Sequence, residues 1–136
     1  MNKFGKRSLK HLSTCHNDLI LIMNESIKRS PVDFGISEGH RSLARQNQLY
    51  REGKSQIDGY RKKGKHNKKP SEAVDIYAYH VNLQTRRKLA YDKIHLSFIA
   101  GIIFSVAHEL YKNKKITHLI RWGANWDKDG VIDYDN

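Results

Sequence analysis

His66 and Asp75 are the residues whose types and positions first suggest chemistry in this sequence. His66 stands in the lysine-rich stretch GKHNKKPS at 64–71, and Asp75 interrupts the apolar run AVDIYAY at 73–79. A carboxylate that faces a protein core needs a cation or a hydrogen-bond partner. An imidazole on a loop and a carboxylate on the next strand are ligands that zinc accepts. A simple hydrogen bond between a loop histidine and a strand aspartate is the alternative.

Arg41 is a second candidate, since it stands where the stretch EGHRS at 38–42 turns from a strand into a helix. The planar guanidinium of an arginine binds a carboxylate, or a developing oxyanion, through paired hydrogen bonds. Gln46 follows a little more than one helical turn later. The alternative is a surface arginine without a specific partner.

Three aspartates near the end of the sequence, Asp127, Asp129 and Asp133, surround a glycine in DKDGVID. Flexible loops rich in oxygen ligands suit calcium. The stretch lacks the full twelve-residue pattern of a calcium-binding loop and its terminal glutamate. An acidic tail without a ligand is therefore an equally good interpretation.

The chain is strongly basic, with 25 Lys and Arg against 14 Asp and Glu and a formal net charge of +11. Such a charge predicts attraction to nucleic acid, acidic lipid or an acidic cell wall. The basic loop YRKKGKHNKK at 60–69 would neutralise phosphates, but no helix-turn-helix, zinc-finger or RNA-recognition signature accompanies it. A basic nucleic-acid-binding protein remains one alternative function.

Length and composition indicate one domain, because 136 residues suffice for a core and nothing marks a linker. The single Cys15 cannot form an internal disulfide, and no Sec-type export signal is present, so we expect location in the cytoplasm. The most hydrophobic segment, 98–107, is shorter than the roughly 20 residues of a membrane span. We expect it to be a buried core helix and expect no membrane span.

The apolar periodicity predicts an α+β domain in which a short antiparallel sheet packs against two or three helices. In strand 73–79, Val74, Ile76 and Ala78 share one face, whereas Asp75 and Tyr77 lie on the other. A core stripe is expected on the last helix, formed by Leu89, Ile94, Phe98, Ile99, Ile102, Ile103, Val106 and Leu110. The predicted elements are helices at 17–30, 41–53 and 84–112, strands at 33–39, 73–79 and 116–123, and an exposed loop at 54–70.

Four segments, taken in order, resemble the VanY-type family of zinc D,D-carboxypeptidases and L-alanyl-D-glutamate endopeptidases, in particular small phage endolysins. Four motifs in the order of the family are far more specific than any one of them. The segments are FGKRSLKHL at 4–12, SPVDFGISEGHRSLARQNQLY at 30–50, GKHNKKPSEAVDIYAY at 64–79 and IRWGANWDKDG at 120–130.

The resemblance implies a fold like that of the Hedgehog domain and the D,D-peptidases, with the metal site at the sheet. It makes His66 and Asp75 zinc ligands, with Ser71 shaping the link between them and contributing to substrate binding. Their spacing is similar to an HNxxPSxAVD variant of the family's motif. Arg41 is implied to hold the substrate and act in catalysis, with Gln46 in the same site. The three C-terminal aspartates resemble a calcium loop of some phage members.

The family also has a closing motif, DxPHFE, which supplies a third histidine ligand and a general-base carboxylate. The sequence reaches Asn136 without that motif, and no histidine follows His118. We therefore expect the general base beyond Asn136 and absent from these residues, and one peptidase-like domain over 1–136 that is truncated at its C-terminus relative to the family. His80 and His118 are the candidates for replacing the missing ligand.

The expected function is that of a zinc metallopeptidase that cleaves the L-Ala-D-Glu or D-Ala-D-Ala bond of peptidoglycan stem peptides during phage lysis. We expect Zn²⁺ as cofactor, Ca²⁺ as a second candidate ion, peptidoglycan as the partner, no specific nucleic acid and a monomeric state. The protein would wait in the host cytoplasm and reach the cell wall at lysis. A non-catalytic peptidoglycan-binding module is a further alternative.

Overall fold

Two short antiparallel strands form the sheet. A computed structural model describes residues 1–123, and in it β1 (Phe34–Glu38) pairs with β2 (Asp75–Ala78). Phe34 lies opposite Ala78, and both are buried in the core. Because side chains alternate along a strand, Asp75 and Tyr77 share the face that points away from Ala78.

A bulge interrupts the strand ladder between Ile36 and Glu38, so that Glu38 lies opposite Asp75. An extra residue in one strand shifts the alternation of its side chains. The bulge therefore brings the carboxylate of Glu38 to the face that carries Asp75.

Five helices surround the sheet in the part of the chain that is described. The α+β class is confirmed, and α2 and α3 match the helices predicted at 17–30 and 41–53 to within the usual uncertainty of helix ends. The helices are α1 (Lys6–Leu12), α2 (Asn17–Arg29), α3 (Leu43–Arg51), α4 (Leu83–Leu89) and α5 (Lys93–Lys112), with a 3-10 turn at Lys65–Asn67 in the long loop.

The core lies between α2, α5 and one face of the sheet. Burial of these apolar side chains removes them from water, which is the main favourable contribution to folding. Phe4 also packs edge-on against Phe34, with ring centroids 5.4 Å apart. The core residues include Leu12, Leu19, Ile22, Met23, Ile27, Phe34, Ile36, Ile99, Ile103, Val106 and Leu110.

Helix α1 lies outside the predicted elements and covers the open edge of β1. The Ser8 hydroxyl accepts a hydrogen bond of 3.0 Å from the backbone N–H of Ile36. An uncovered strand edge would leave such donors unpaired. Helix α1 thus completes the hydrogen bonding of β1.

The single helix predicted at 84–112 is wrong, because the chain forms two helices there. Asp92 caps α5 by accepting a hydrogen bond from the backbone N–H of His95. The break also frees the carbonyl of Ala90, which accepts from the N–H of Ala78 at the edge of β2. A capping carboxylate and a strand edge thus end α4 where the apolar pattern alone continues.

The prediction of an apolar core stripe on the last helix is also partly wrong. Ile94 is 78% exposed and Phe98 49% exposed, whereas Ile99, Ile103 and Val106 are buried as predicted. The stripe is wider than the face that α5 turns toward α2 and β2. Apolar residues at its margin therefore stay in contact with solvent.

The strand predicted at 116–123 does not form in the structure. Ile116 is buried, but the backbone N–H and the hydroxyl of Thr117 both donate to the side chain of Asp18, at 3.0 and 3.2 Å. His118 Nδ1 lies 3.1 Å from the same oxygen. A carboxylate at the start of α2 thus takes the place of a neighbouring strand.

Helix α5 is long and apolar enough to cross a membrane by length and composition alone, with a mean hydropathy of 1.4. The core helix of a soluble protein meets the same criterion. One side of α5 packs against α2 and the sheet, as predicted for a core helix. The absence of a membrane span stays a prediction.

We expect Asp18→Asn to lower the free energy of unfolding by about 1 kcal/mol at neutral pH, because an ionised acceptor becomes neutral. Burial opposes ionisation of Asp18, but hydrogen bonds from Thr117 and His118 lower its pKa below the usual value. Such a carboxylate stabilises the fold above its unfolded pKa, and the stabilisation is lost as the pH falls through the folded pKa. In urea denaturation, the deficit of the variant should be full at pH 7 and shrink below about pH 4.

Asp33→Asn is the matched control, because burial raises the pKa of Asp33, although a hydrogen bond from the N–H of Phe34 partly lowers it. Ionisation of Asp33 is therefore unfavourable in the folded state, and its neutral replacement should not destabilise the protein at pH 7. A deficit of Asp18→Asn that does not change with pH would contradict the electrostatic explanation.

Candidate active site

The loop that carries His66 is fastened to the connection between β1 and α3. The backbone N–H of Arg41 donates to the carbonyl of His66 at 2.8 Å. The side chain of Asn67 accepts from the N–H of Gly64 and donates to the carbonyl of Arg41. The 3-10 turn at Lys65–Asn67 is therefore held in one position beside the end of β1.

The imidazole of His66 is oriented by the backbone of Gly39. Its Nδ1 lies 2.7 Å from the carbonyl oxygen of Gly39, and its Nε2 lies 3.2 Å from Oδ1 of Asp75. A carbonyl oxygen only accepts, so Nδ1 must carry the proton that is donated. The nitrogen that faces Asp75 is then the one with a lone pair in the neutral ring.

His66 Nε2 in the neutral ring and Asp75 Oδ1 are both acceptors, and their close contact requires a proton or a cation between them. A second proton on the imidazole would supply it, and so would a metal ion. His66 is half-buried, and burial lowers its pKa, but the hydrogen bond and the charge of Asp75 raise it above the usual value overall. Burial likewise opposes ionisation of Asp75, whereas His66 and Arg41 lower the pKa of Asp75.

Glu38 is the third member of this group. One ligand atom from each of Glu38, His66 and Asp75 lies within 4.8 Å of the others, the only such group of metal-ligating side chains found within residues 1–123. Sequence reasoning missed Glu38 because its place depends on the bulge and the strand register. The sequence feature that could have indicated Glu38 is its position in EGHR, at the predicted end of the strand and three residues before Arg41.

Arg41 lies in the site, as predicted, and contacts both carboxylates. Its Nε pairs with Glu38, its Nη2 lies 3.2 Å from Asp75, and its Nη1 donates to Gln46 at 2.9 Å. Only 12% of the side chain is exposed. The guanidinium offsets part of the negative charge and fixes how the carboxylates are turned.

Gln46 lies behind Arg41 and is almost fully buried. Its amide oxygen accepts from Arg41, and its amide nitrogen donates to the Ser55 hydroxyl and to the Ile57 carbonyl, both at 2.8 Å. Gln46 therefore positions Arg41 and the start of the long loop. A direct role of Gln46 in catalysis stays a prediction.

Ser71 shapes the link between His66 and Asp75, as the resemblance implied. Its hydroxyl donates to the carbonyl of Ala73 at 2.7 Å, and its backbone exchanges hydrogen bonds with Thr14 and His16. The residue is 0% exposed. Its predicted contact with substrate stays a prediction.

The two histidines considered as replacement ligands, His80 and His118, lie outside this group of three ligating side chains. Nδ1 of His80 accepts from the N–H of Asn82, and His118 contacts Asp18. Within residues 1–123, the third ligating side chain near His66 and Asp75 is therefore Glu38 and not a histidine.

The predictions for the C-terminal segment lie outside the described residues, which end at 123. They concern the calcium aspartates Asp127, Asp129 and Asp133 and the general base expected beyond Asn136. Asn136 itself is outside the described residues too. Both the calcium loop and the position of the general base therefore stay predictions.

Comparison with known proteins identifies the class. The sequence model of the phage L-alanyl-D-glutamate peptidases matches residues 1–136, and the chain therefore belongs to this family. Its fold is similar to the crystal structure of the Serratia marcescens L-Ala D-Glu endopeptidase ChiX, with a TM-score of 0.73 and 25% identity over 98% of this chain and 86% of that one. No curated protein matches the chain significantly. The predicted family is confirmed.

We expect Gln46→Leu to lower the free energy of unfolding by about 1–3 kcal/mol, because it leaves the Ile57 carbonyl and a guanidinium N–H without their buried partner. The measurement is urea denaturation at neutral pH. Gln48→Leu is the matched control on the exposed side of α3 and should change stability by less than about 0.5 kcal/mol. Equal effects of the two variants would show that the Gln46 contacts carry no stability.

Proposed function

We propose that this protein is a zinc-dependent peptidase that cleaves the L-Ala-D-Glu bond of peptidoglycan stem peptides. The observation that carries the proposal is the pair of acceptors, His66 Nε2 and Asp75 Oδ1, which face each other at 3.2 Å beside Glu38. Membership in the phage L-alanyl-D-glutamate peptidase family supports this bond over the D-Ala-D-Ala bond.

The donor set fits zinc. Imidazole nitrogen and carboxylate oxygen bind Zn²⁺ at about 2.0–2.2 Å, so two such ligands at a tetrahedral angle lie about 3.4 Å apart. The observed separation of 3.2 Å between His66 and Asp75 is close to this value. Glu38 is the third ligand that the described part of the chain can offer.

Hydrogen bonds and ion pairs with neighbouring groups hold these ligands in place. The Gly39 carbonyl fixes the tautomer and the ring plane of His66, and Arg41 turns the carboxylates of Asp75 and Glu38. Partners of this kind raise the affinity of a metal site by orienting its ligands in advance. The site is therefore largely formed before an ion enters it.

Bound zinc would supply a Lewis acid that polarises the amide carbonyl of the substrate and lowers the pKa of water. Arg41 places a positive charge next to this position, where it stabilises negative charge that develops on the carbonyl oxygen. With Glu38 and Asp75 at −1 each, Arg41 at +1 and Zn²⁺ at +2, the loaded site carries a net charge of about +1. Such a charge favours an electron-rich oxygen.

Action on the host cell wall at lysis is part of the proposal. In this proposal the protein accumulates in the host cytoplasm and reaches peptidoglycan when the membrane is breached. The net charge of +11 supports attraction to an anionic wall. A calcium site at Asp127, Asp129 and Asp133 stays a prediction.

We expect His66→Ala and Asp75→Asn each to lower zinc affinity by on the order of 100-fold, and Glu38→Gln by about tenfold. Competition with a chromophoric chelator measures the affinity. His80→Ala is the matched control, because this histidine lies outside the ligand group, and it should bind zinc as the parent does. Unchanged affinity in both His66→Ala and Asp75→Asn would refute the site.

Release of new amino groups from purified peptidoglycan tests the activity. The parent should release amines in the presence of zinc and lose that activity with a chelator. Sedimentation with peptidoglycan without any amine release would instead identify a non-catalytic wall-binding module.

A further inference from the structure

A cleft of about 330 Å³ lies against the sheet, and residues of α1, both strands and the α4–α5 break line it. Tyr77 belongs to its lining and shares a face of β2 with Asp75. The two residues are separated by two strand positions, which is about 7 Å. The cleft therefore adjoins the candidate metal site.

The floor of the cleft is an aromatic ring. A Cβ atom built on Gly35 would lie 2.6 Å from Cζ and the hydroxyl oxygen of Tyr77, so the tyrosine ring lies directly over this glycine. Within residues 1–123, the Tyr77 hydroxyl has no hydrogen-bond partner. It is therefore available to a ligand.

The wall of the cleft carries positive charge. Arg7 and His11 stand one turn apart on α1, so their side chains lie on the same helix face, and both line the cleft. No aspartate or glutamate of the described residues lines it. Over the described part of the chain Arg7 forms no ion pair, in contrast to Arg29, which pairs with Glu109, and Arg41.

A free guanidinium beside an imidazole and a phenol hydroxyl is suited to a carboxylate, which accepts charge-assisted hydrogen bonds. In a peptide that contains L-Ala-D-Glu, the chain continues through only one of the two carboxyl groups of glutamate. The other stays free and lies within a few bonds of the cleaved amide. The cleft begins at Tyr77, only two strand positions along β2 from Asp75, so such a carboxylate can reach it while the amide lies at the metal ligands.

We propose that the cleft formed by Arg7, His11 and Tyr77 binds the free carboxylate of the D-glutamate residue of the stem peptide. This inference rests on the proposed function, and it names the group that selects the substrate. Arg7 supplies the charge, and the Tyr77 hydroxyl supplies a further donor.

The test compares two synthetic peptides. In the first, L-Ala-D-Glu-L-Lys, the side-chain carboxyl of the glutamate forms the bond to lysine and its α-carboxyl is free. In the second, this free carboxyl of the glutamate is converted to an amide. Calorimetric titration of the full chain carrying Asp75→Asn, without zinc, measures binding without cleavage. We expect the carboxylate form to bind at least about tenfold more tightly than the amide.

Adding Arg7→Gln should abolish that preference, and Tyr77→Phe should reduce it. Arg51→Gln is the matched control, since Arg51 is exposed on α3 and does not line the cleft. Arg7 is also exposed, so its replacement should leave the fold intact. A preference that survives Arg7→Gln would overturn the inference, as would equal binding of both peptides.

The outcome is separable from that of the proposed function. If the parent releases amines from peptidoglycan while Arg7→Gln keeps the parent's KM and peptide preference, the peptidase stands and the cleft is refuted. If the parent releases none but binds the carboxylate peptide through Arg7, the cleft stands and the peptidase is refuted.

Discussion

The hydrogen bond between His66 Nδ1 and the Gly39 carbonyl is the contact on which the site depends. It fixes which imidazole nitrogen faces Asp75. Gly39 can approach the end of α1 only because it lacks a side chain, since a Cβ atom there would clash with the His11 carbonyl and the Thr14 hydroxyl. The absence of a side chain at Gly39 thus allows α1, the end of β1 and the long loop to pack closely. The arrangement of the metal-ligating atoms depends on this packing.

A two-stranded sheet is too small to be stable by itself, and the rest of the fold compensates for this. The Ser8 hydroxyl binds the outer edge of β1, and the Ala90 carbonyl binds the outer edge of β2. The break between α4 and α5 is therefore tied to the site, because it supplies the carbonyl that holds the strand carrying Asp75. Packing of α2 and α5 then covers the opposite face.

Local patterns predicted the parts of the site that lie within one segment. His66 and Asp75 lie nine residues apart, and Arg41 directly precedes the helix that carries Gln46, so the family motifs that contain them could single them out. Glu38 escaped prediction because a bulge, which depends on pairing between distant strands, turns it toward Asp75. The fold class followed from periodicity, but the end of α4 and the loss of the strand at 116–123 depend on side-chain carboxylates that periodicity does not register.

The surface and the site carry charges of opposite sign and therefore attract different ligands. The chain as a whole carries +11, yet Glu38 and Asp75 with Arg41 leave the unloaded donor set at about −1 when His66 is neutral. Salt screens exposed charges beyond about 8 Å, so the charge of the whole surface and the charge of the site act on different ligands at different distances. The basic surface attracts a polyanion from outside, and the clustered carboxylates of Glu38 and Asp75 attract a cation at short range. A basic protein can thus keep a site for a dication without losing its attraction to an anionic polymer.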